Sequence, residues 1–340
     1  MQHVSRRDKV ALLSKRLGLT SCMEYLKKKP CLLVLNYHRV GDAETCRYDP
    51  GVFSATGEAF YDQVEYLRKH CHVAELDEVV ETIEGGTGAC KRPMVLITFD
   101  DGYLDNYEVA FPILKDLGVQ ATFFLPTSYI GTDAVPWWDQ IAYAIRNTRK
   151  SRIHVENHET ELSLSSAERN ESLRKVLKLY KSPSNINPDL FISKLFDECD
   201  VPAVQEKSDR LFMSWDEARA MVDGGMAIGS HTHSHKILSK LSFEDQVYEL
   251  ETSKAMLNAR LGIQVKTLAY PVGARHAFSR DTQLALSETG YSAAFSFYGG
   301  VNLPQKTARY DVLRVGIENG LQDYRFRFQL NVAGLAGVWV

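Results

Sequence analysis

Three histidines stand within five residues, in the segment HTHSH (231–235) that follows the apolar run 226–230. His231 and His235 are four residues apart, so a single helical turn would bring both imidazoles to one side, with His233 pointing elsewhere. Imidazole ligands suit zinc or another late divalent metal better than magnesium. The spacing therefore predicts a metal site, and the alternative interpretation is a solvated histidine-rich turn.

Two adjacent carboxylates, Asp100 and Asp101, follow a second apolar run at 94–99. Neighbouring carboxylates repel each other unless one of them binds a cation. A metal that holds one of them would leave the other available as a general base. The alternative is a helix-capping acid pair, although Asp105 and Glu108 have the better spacing for a cap.

Two further segments place chemically useful groups directly after apolar runs. His38 follows the run 31–37, and the tight turn YPVG (270–273) ends the run 265–270. In a parallel α/β barrel, the carboxyl ends of all strands meet at the face where active sites lie. We therefore expect these residues, the histidine segment and the acid pair to form one active site.

The elements that would position these residues alternate along the chain. Predicted strands lie at 31–37, 94–99, 121–125, 226–230, 265–270, 292–297 and 311–317. Predicted helices lie at 60–69, 110–117, 243–261 and 280–289, with glycines at 118 and 262 as helix ends. This alternation indicates parallel βα units and an α/β fold.

Residues 132–212 interrupt the alternation and predict an inserted, mostly helical subdomain. The stretch 153–164 alternates like a small hairpin, and Ser165 with Glu168 has the spacing of a capping box that opens a helix. The predicted organisation is therefore an N-terminal helical extension at 1–30, followed by a barrel at 31–340 that carries this insertion.

The acid pair and the histidine segment together resemble a known family. TFDDG (98–102) followed by HTxxH (231–235) is similar to the motifs of the polysaccharide deacetylases, the NodB homology domain of carbohydrate esterase family four. The resemblance extends over about 31–131 and 211–317, with supporting strings at 118–126 and 268–273. It implies an irregular (β/α)₇ barrel.

The resemblance also implies a role for each motif residue. Asp100 matches the catalytic base, and the backbone N–H near Val272 matches the group that binds the oxyanion. The metal ligands implied are Asp101, His231 and His235. The metal implied is zinc, with cobalt or nickel as alternatives.

His38 resembles a general acid in an unusual place. Most family members carry this histidine near the C-terminus in a Leu-x-His motif, but residues 301–340 contain no histidine. Poly-N-acetylglucosamine deacetylases place it early, in a Tyr-His string before the Asp-Asp motif, and this chain shares that permuted order. The alternative is a buried histidine bonded to a backbone carbonyl.

One position departs from the family pattern. The third motif usually begins with an arginine that orients the base, and Ala269 stands there. Arg275 and Arg314 are the two candidates to replace it. Asp311 and Arg314 are candidates for the fourth motif.

Aromatic residues near the predicted site suggest contacts with a sugar. Tyr103, Tyr270 and Pro271 are predicted to line the cleft. Trp137 and Trp138 are predicted to form a stacking wall, with core packing as the alternative.

Composition limits the function classes. The chain has 340 residues, 44% of them hydrophobic, and a net charge of −3, which excludes a disordered, collagen-like or coiled-coil protein and disfavours nonspecific nucleic-acid binding. No apolar stretch reaches the length of a membrane span, and the N-terminus does not resemble a secretory signal. The six cysteines form no CxxC pair. These features predict a cytoplasmic protein with reduced thiols.

The sequence thus predicts a metal-dependent hydrolase that removes N-acetyl groups from an amino-sugar glycan or glycan precursor. Its partner would be an N-acetylated saccharide, with a lipid-linked substrate or peripheral membrane contact as open alternatives and the oligomeric state undetermined. The alternative functions are a deformylase or cyclic-imide hydrolase on the same barrel, and a non-catalytic carbohydrate-binding protein.

Overall fold

A computed structural model describes residues 6–17, 19, 23, 31–85, 93–155, 161–183, 187–202, 204, 210–303 and 306–336. The chain divides into two units. The first comprises residues 1–41, 53–130 and 212–340, and the second comprises residues 42–52 and 131–211.

The first unit is built on seven parallel strands. They are β1 Leu32–Tyr37, β2 Met94–Phe99, β3 Thr122–Leu125, β4 Ala227–Ser230, β5 Thr267–Ala269, β6 Ala293–Phe295 and β7 Arg314–Gly316. The order across the sheet is β6-β5-β4-β3-β2-β1-β7, and the short strand His72–Val73 also pairs with β2. A parallel bridge between Phe295 and Val312 nearly closes the sheet. The predicted irregular (β/α)₇ barrel is therefore confirmed.

Alternate residues of each strand pack on opposite sides of the sheet. Leu33 and Leu35 of β1 belong to the large cluster beneath the surrounding helices. Leu32 and Val34 belong to a second cluster, which collects side chains from most of the other strands inside the barrel. Every residue of β1 and β2 is buried, as expected of strands covered on both faces.

Eleven α-helices lie in the described ranges. They are α1 Arg6–Arg16, α2 Gly57–His70, α3 Leu76–Ile83, α4 Phe111–Leu117, α5 Trp137–Asn147, α6 Arg169–Lys181, α7 Pro188–Cys199, α8 Trp215–Asp223, α9 Phe243–Leu261, α10 Arg280–Glu288 and α11 Asp323–Ala336. The predicted glycine ends are confirmed, because Gly118 and Gly262 follow α4 and α9 in the left-handed conformation. Within those ranges, every helix is too short or too polar to cross a bilayer.

The predicted cap at Asp105 is wrong. A π-helical turn, Asn106–Ala110, precedes α4, and the Asp105 carboxylate makes no capping hydrogen bond to it. The carboxylate instead accepts hydrogen bonds from Arg39 Nε at 2.7 Å and from the backbone N–H of Val40 at 3.1 Å. A long-range charged partner has displaced the local cap that the spacing suggested.

The second unit contains α5, α6, α7 and an antiparallel pair of short strands, Arg152–Ile153 and Leu162–Ser163. The predicted capping box is not formed. Helix α6 begins one residue after Glu168, and the Ser165 hydroxyl donates to the Glu168 carboxylate at 2.8 Å instead of capping the helix.

This unit also includes residues 42–52, which lie outside the predicted insertion. Arg146 of α5 contacts this segment, because its Nη1 donates to the backbone oxygen of Tyr48 at 2.6 Å.

The N-terminal extension predicted at 1–30 is described only at residues 6–17, 19 and 23. Its helix α1 packs on α11 of the first unit.

Candidate active site

The strand register brings the predicted site residues together. Tyr37 of β1 pairs with Phe99 of β2, so His38 and Asp100 leave neighbouring strands at the same level. The backbone N–H of Asp100 donates to the Tyr37 carbonyl at 3.0 Å across this junction. The histidine segment leaves β4, which lies between β3 and β5 in the same sheet.

Asp101, His231 and His235 form a buried cluster. Oδ1 of Asp101 lies 3.5 Å from Nε2 of His231 and 3.3 Å from Nε2 of His235. Two atoms bound tetrahedrally to one ion at about 2.1 Å lie about 3.4 Å apart, so this spacing fits a shared cation. Although Asp101 Oδ1 is buried, it accepts no hydrogen bond from the described residues. The cluster therefore fits a divalent metal.

A hydrogen bond orients His231, and burial and neighbouring charges shift the pKa values of the other two residues. Nδ1 of His231 donates to the backbone carbonyl of Ala269 at 2.7 Å, which leaves Nε2 as the ligating nitrogen. Burial raises the pKa of Asp101, but the adjacent His231 and His235 outweigh burial and hold that pKa well below its ordinary value. Burial lowers the pKa of His235, which favours the neutral imidazole that metals require.

Asp100 is held by a separate buried network. Arg314 binds its carboxylate through two nitrogens, Nη1 at 2.7 Å and Nη2 at 2.8 Å, and Asn36 Nδ2 donates to it at 3.1 Å. Arg314 is fully buried and also donates to Asn36 Oδ1 at 2.8 Å. Of the two candidate replacements for the missing arginine, Arg314 occupies the required place. Arg275 instead lies over the Tyr298 ring at 4.3 Å.

This network sets the charge of Asp100. Burial opposes ionisation, but the positive charge of Arg314, followed by that of His231, outweighs burial and lowers the pKa of the carboxyl. The contacts of Asp100 therefore favour its ionised form, beside the cluster of Asp101, His231 and His235. Its Oδ2 lies 3.9 Å from Nε2 of His231.

His38 is half-buried, and its main chain is fixed on both sides. Its N–H donates to Ser54 Oγ at 3.0 Å, and its carbonyl accepts from Asn106 Nδ2 at 2.7 Å. Burial lowers the pKa of His38, while the charges of Asp101 and Asp100 oppose that shift. Within the described part of the chain, its ring donates to no backbone carbonyl, which removes the support for the alternative interpretation.

The turns that carry these residues are strained. Five non-glycine residues in the described ranges have a positive φ, and four of them lie here: Asp101 at 74°, Thr232 at 64°, His235 at 55° and Val272 at 64°. Side chains disfavour this conformation, above all the β-branched ones of Thr232 and Val272. Strain of this kind concentrates at functional sites, where the surrounding structure imposes it.

The predicted cleft residues are buried. Tyr103 has no exposed surface, stacks on Phe212 at 5.3 Å and lies beneath the Arg39 guanidinium. Tyr270 is 1% exposed, and its hydroxyl donates to the Tyr310 carbonyl at 2.8 Å. Pro271 is buried as well. In this conformation these residues support the walls of the site and present no face to a sugar.

The two tryptophans pack within the second unit. Trp137 stacks on Tyr180 at 4.2 Å, and Trp138, which is 5% exposed, meets Trp137 edge-on at 5.1 Å. These contacts match the alternative of core packing. A stacking wall for a sugar remains a prediction that they do not support.

Two supporting residues were missed in the sequence. Asn36 is a polar residue within an otherwise apolar buried strand, and that contrast is a signal that could have identified it. Glu249, on α9, accepts hydrogen bonds from the histidine segment. It is one of several charged residues on that helix, so nothing in the sequence distinguishes it.

Comparisons with known proteins agree with this geometry. A sequence profile described as "Polysaccharide deacetylase" matches residues 87–294. The putative polysaccharide deacetylase YxkH of Bacillus subtilis (strain 168) is 21% identical over 318 residues, which span 94% of this chain and 82% of that protein. The poly-beta-1,6-N-acetyl-D-glucosamine N-deacetylase of Staphylococcus epidermidis is 32% identical over 120 residues, or 31% of this chain and 39% of that protein.

Two solved structures share the fold. The deacetylase PplD of Streptococcus pyogenes, in complex with acetate, has a TM-score of 0.57 and 16% identity, covering 86% of this chain and 96% of that one. IcaB from Ammonifex degensii has a TM-score of 0.55 and 21% identity, covering 85% and 93% of the two chains.

Proposed function

This chain belongs to the polysaccharide deacetylase family, and we propose that it is a metal-dependent hydrolase that removes N-acetyl groups from an amino-sugar glycan or glycan precursor. The observation that carries the proposal is the pairing of two buried assemblies at one end of the barrel. One is the cation-sized cluster of Asp101, His231 and His235, and the other is the ionised Asp100 beside it.

In this proposal Asp101 Oδ1, His231 Nε2 and His235 Nε2 hold the cation. Zinc suits this set of two imidazoles and one carboxylate, with cobalt or nickel as alternatives. The bound cation supplies Lewis-acid activation of the acetyl carbonyl and of the attacking water.

Asp100 is the proposed general base. The carboxylate accepts a proton from the water as the water oxygen bonds to the acetyl carbon. Arg314 and Asn36 hold both of its oxygens, which keeps it ionised and fixes its direction. Once the products leave, Asp100 releases the accepted proton to solvent, and its ion pair with Arg314 is restored.

The backbone N–H of Val272 is the proposed donor to the oxyanion. Among the described residues, no group accepts a hydrogen bond from this N–H, so it is available to a substrate. The left-handed conformation of Val272, with φ at 64°, turns the chain directly after β5. A preorganised donor of this kind stabilises negative charge as it develops on the carbonyl oxygen.

His38 is the proposed general acid. An amine leaves poorly unless its nitrogen is protonated, so breaking the C–N bond requires a proton donor. His38 follows β1 beside Asp100. The negative charges of Asp101 and Asp100 raise the pKa of its imidazole against the effect of burial. Proton transfer to the nitrogen releases the amino sugar, and acetate carries away the oxygen of the water.

The test is acetate release from N-acetylglucosamine oligomers by the zinc-loaded chain. The similarity to the Staphylococcus epidermidis enzyme makes β-1,6-linked oligomers the first choice. We expect acetate and new primary amine in equal amounts, with neither formed by Asp100→Asn. Turnover of only N-formyl or cyclic-imide compounds would favour the alternative hydrolases, and sugar binding without hydrolysis would favour a binding protein.

A further inference from the structure

Glu249 lies on α9, a helix that contributes no residue to the metal cluster, yet its carboxylate is bound to the segment between two proposed ligands. Its Oε2 accepts the backbone N–H of His233 at 3.0 Å and that of Ser234 at 2.7 Å. Its Oε1 accepts the hydroxyl of Ser234. The carboxylate thus holds the chain midway between His231 and His235.

These bonds complete the hydrogen bonding of a strained turn. The N–H of His231 donates to Leu125, that of Thr232 to Ser230 Oγ, and that of His235 to Thr232 Oγ1. The remaining two N–H groups of the segment both depend on Glu249. Without that acceptor they would be left unsatisfied in a partly buried place.

The turn needs this support because its conformation is unfavourable by itself. Thr232 and His235 both have a positive φ, which side chains other than glycine rarely adopt. In this conformation His235 Nε2 lies 3.3 Å from Asp101 Oδ1. A released segment would relax towards ordinary backbone angles and separate the two imidazoles.

Glu249 is itself in an unusual setting for a carboxylate. It is 4% exposed, and its carboxylate accepts three hydrogen bonds from His233 and Ser234. Burying a carboxylate is costly unless hydrogen bonds compensate. A divalent cation in the adjacent cluster would add a favourable charge.

We propose that Glu249 is a positioning residue that holds the 231–235 turn in its metal-binding conformation and thereby sets the affinity and coordination geometry of the site. The inference rests on the proposed metal site. It assigns Glu249 no contact with substrate, water or metal.

The test measures the zinc Kd of the full chain by competition with a chromophoric chelator. Glu249→Met keeps the side-chain length but removes both acceptors, and we expect the Kd to rise by about 10–100-fold, as for other residues that orient metal ligands. Glu249→Gln keeps an oxygen for the two N–H groups, and its amide can donate to the Ser234 hydroxyl, so its Kd should stay close to that of the wild type.

Glu251→Met is the matched control, because Glu251 is exposed on the same helix. It should leave the zinc Kd unchanged. Thermal unfolding of the metal-free proteins checks the fold. The visible spectrum of the cobalt-loaded protein reports ligand geometry, and we expect it to change in Glu249→Met but not in Glu249→Gln or Glu251→Met.

An unchanged zinc Kd and cobalt spectrum in a folded Glu249→Met protein would overturn the proposal. Should that variant fail to fold, Glu249→Asp replaces it, since the shorter side chain keeps the charge but cannot reach both N–H groups. Equal affinity in Glu249→Asp would equally overturn it. A wild-type chain that takes up no zinc would instead overturn the proposed metal site and this role together.

Discussion

The rim of the barrel and the second unit differ in what they bury. The rim encloses charged and ionisable side chains, all 5% exposed or less: Asp100, Asp101, His231, His235 and Arg314. The second unit encloses mainly apolar and aromatic side chains, among them Leu173, Val176, Tyr180, Phe191 and Leu195. Buried charge is expensive, so its concentration at the rim needs a reason beyond stability.

The backbones of the two regions also differ, because more residues of the rim have strained dihedral angles. Among the residues that the structure describes, the rim holds four strained non-glycine residues and the second unit holds one. That one is Asp200, which ends α7 in the left-handed conformation common at helix ends. Each strained residue costs about 1–3 kcal/mol. Packing therefore accounts for the second unit, whereas the rim gives up stability for a fixed arrangement of reactive groups.

Among the substitutions at the rim, removal of a proposed metal ligand should have the largest effect on zinc binding and activity. We expect His235→Ala to lose tightly bound zinc and all measurable acetate release, because only two protein ligands remain. His233→Ala is the matched control, since the His233 ring faces Thr127, 2.9 Å away, rather than the cluster. Elemental analysis measures the zinc content of both variants. Stoichiometric zinc in His235→Ala would contradict the assignment of His235 as a metal ligand.

Neutralising the proposed base should abolish turnover and leave metal binding intact. Asp100→Asn should retain zinc but lose about 10⁴-fold in kcat, because an amide cannot accept the proton from water. It should also lower the free energy of unfolding by about 3–5 kcal/mol, since Arg314 is left buried without its charged partner. Asp101→Asn should lose zinc as well. Zinc loss in Asp100→Asn with retention in Asp101→Asn would show that the two roles are reversed.

Removing the proposed general acid should lower kcat by a factor that depends on the leaving group of the substrate. His38→Ala should lower kcat on an acetamide substrate by about 10²–10⁴-fold while zinc content stays constant. An activated acetyl ester, whose leaving group needs no proton, should show a much smaller loss. Equal losses on both substrates would indicate structural damage, and full activity on the amide would remove His38 from the mechanism.

Truncating the aromatic core of the second unit should affect stability rather than chemistry. Trp138→Ala should cost about 3–5 kcal/mol in free energy of unfolding, as expected for a buried tryptophan. The kcat and KM of the folded fraction should remain unchanged. A large rise in KM without loss of stability would instead support the predicted sugar-stacking wall.

Much of the barrel could be predicted because its signals are local. Apolar runs locate the strands, and each strand end places the next residue at the rim, so Asp100, Asp101, His231 and His38 could be assigned to one face. Spacing alone is a weaker signal for helix starts, since the capping box forms at Ser214 and Glu217 but not at Ser165 and Glu168.

The contacts that were missed join residues distant in sequence. Arg314 and Asp100 are 214 residues apart, and a sequence alone could not choose Arg314 over Arg275. The same limit explains Asp105, whose partner Arg39 lies 66 residues away. Tyr103 and Tyr270 were predicted to line the cleft because they closely follow β2 and β5, but position along the chain does not reveal on which side a ring packs.

The pairing of Arg314 with Asp100 also joins the last strand of the barrel to the residue that follows β2. Arg314 begins β7, the last strand of the barrel, and reaches Asn36 across 278 residues of sequence. During synthesis the aspartates and histidines leave the ribosome well before this arginine does. Until β7 pairs with β1, Asp100 lacks the charged partner that compensates its burial. The contact between Arg314 and Asp100 therefore closes a loop of 214 residues, and its geometry depends on both ends of that loop being in place.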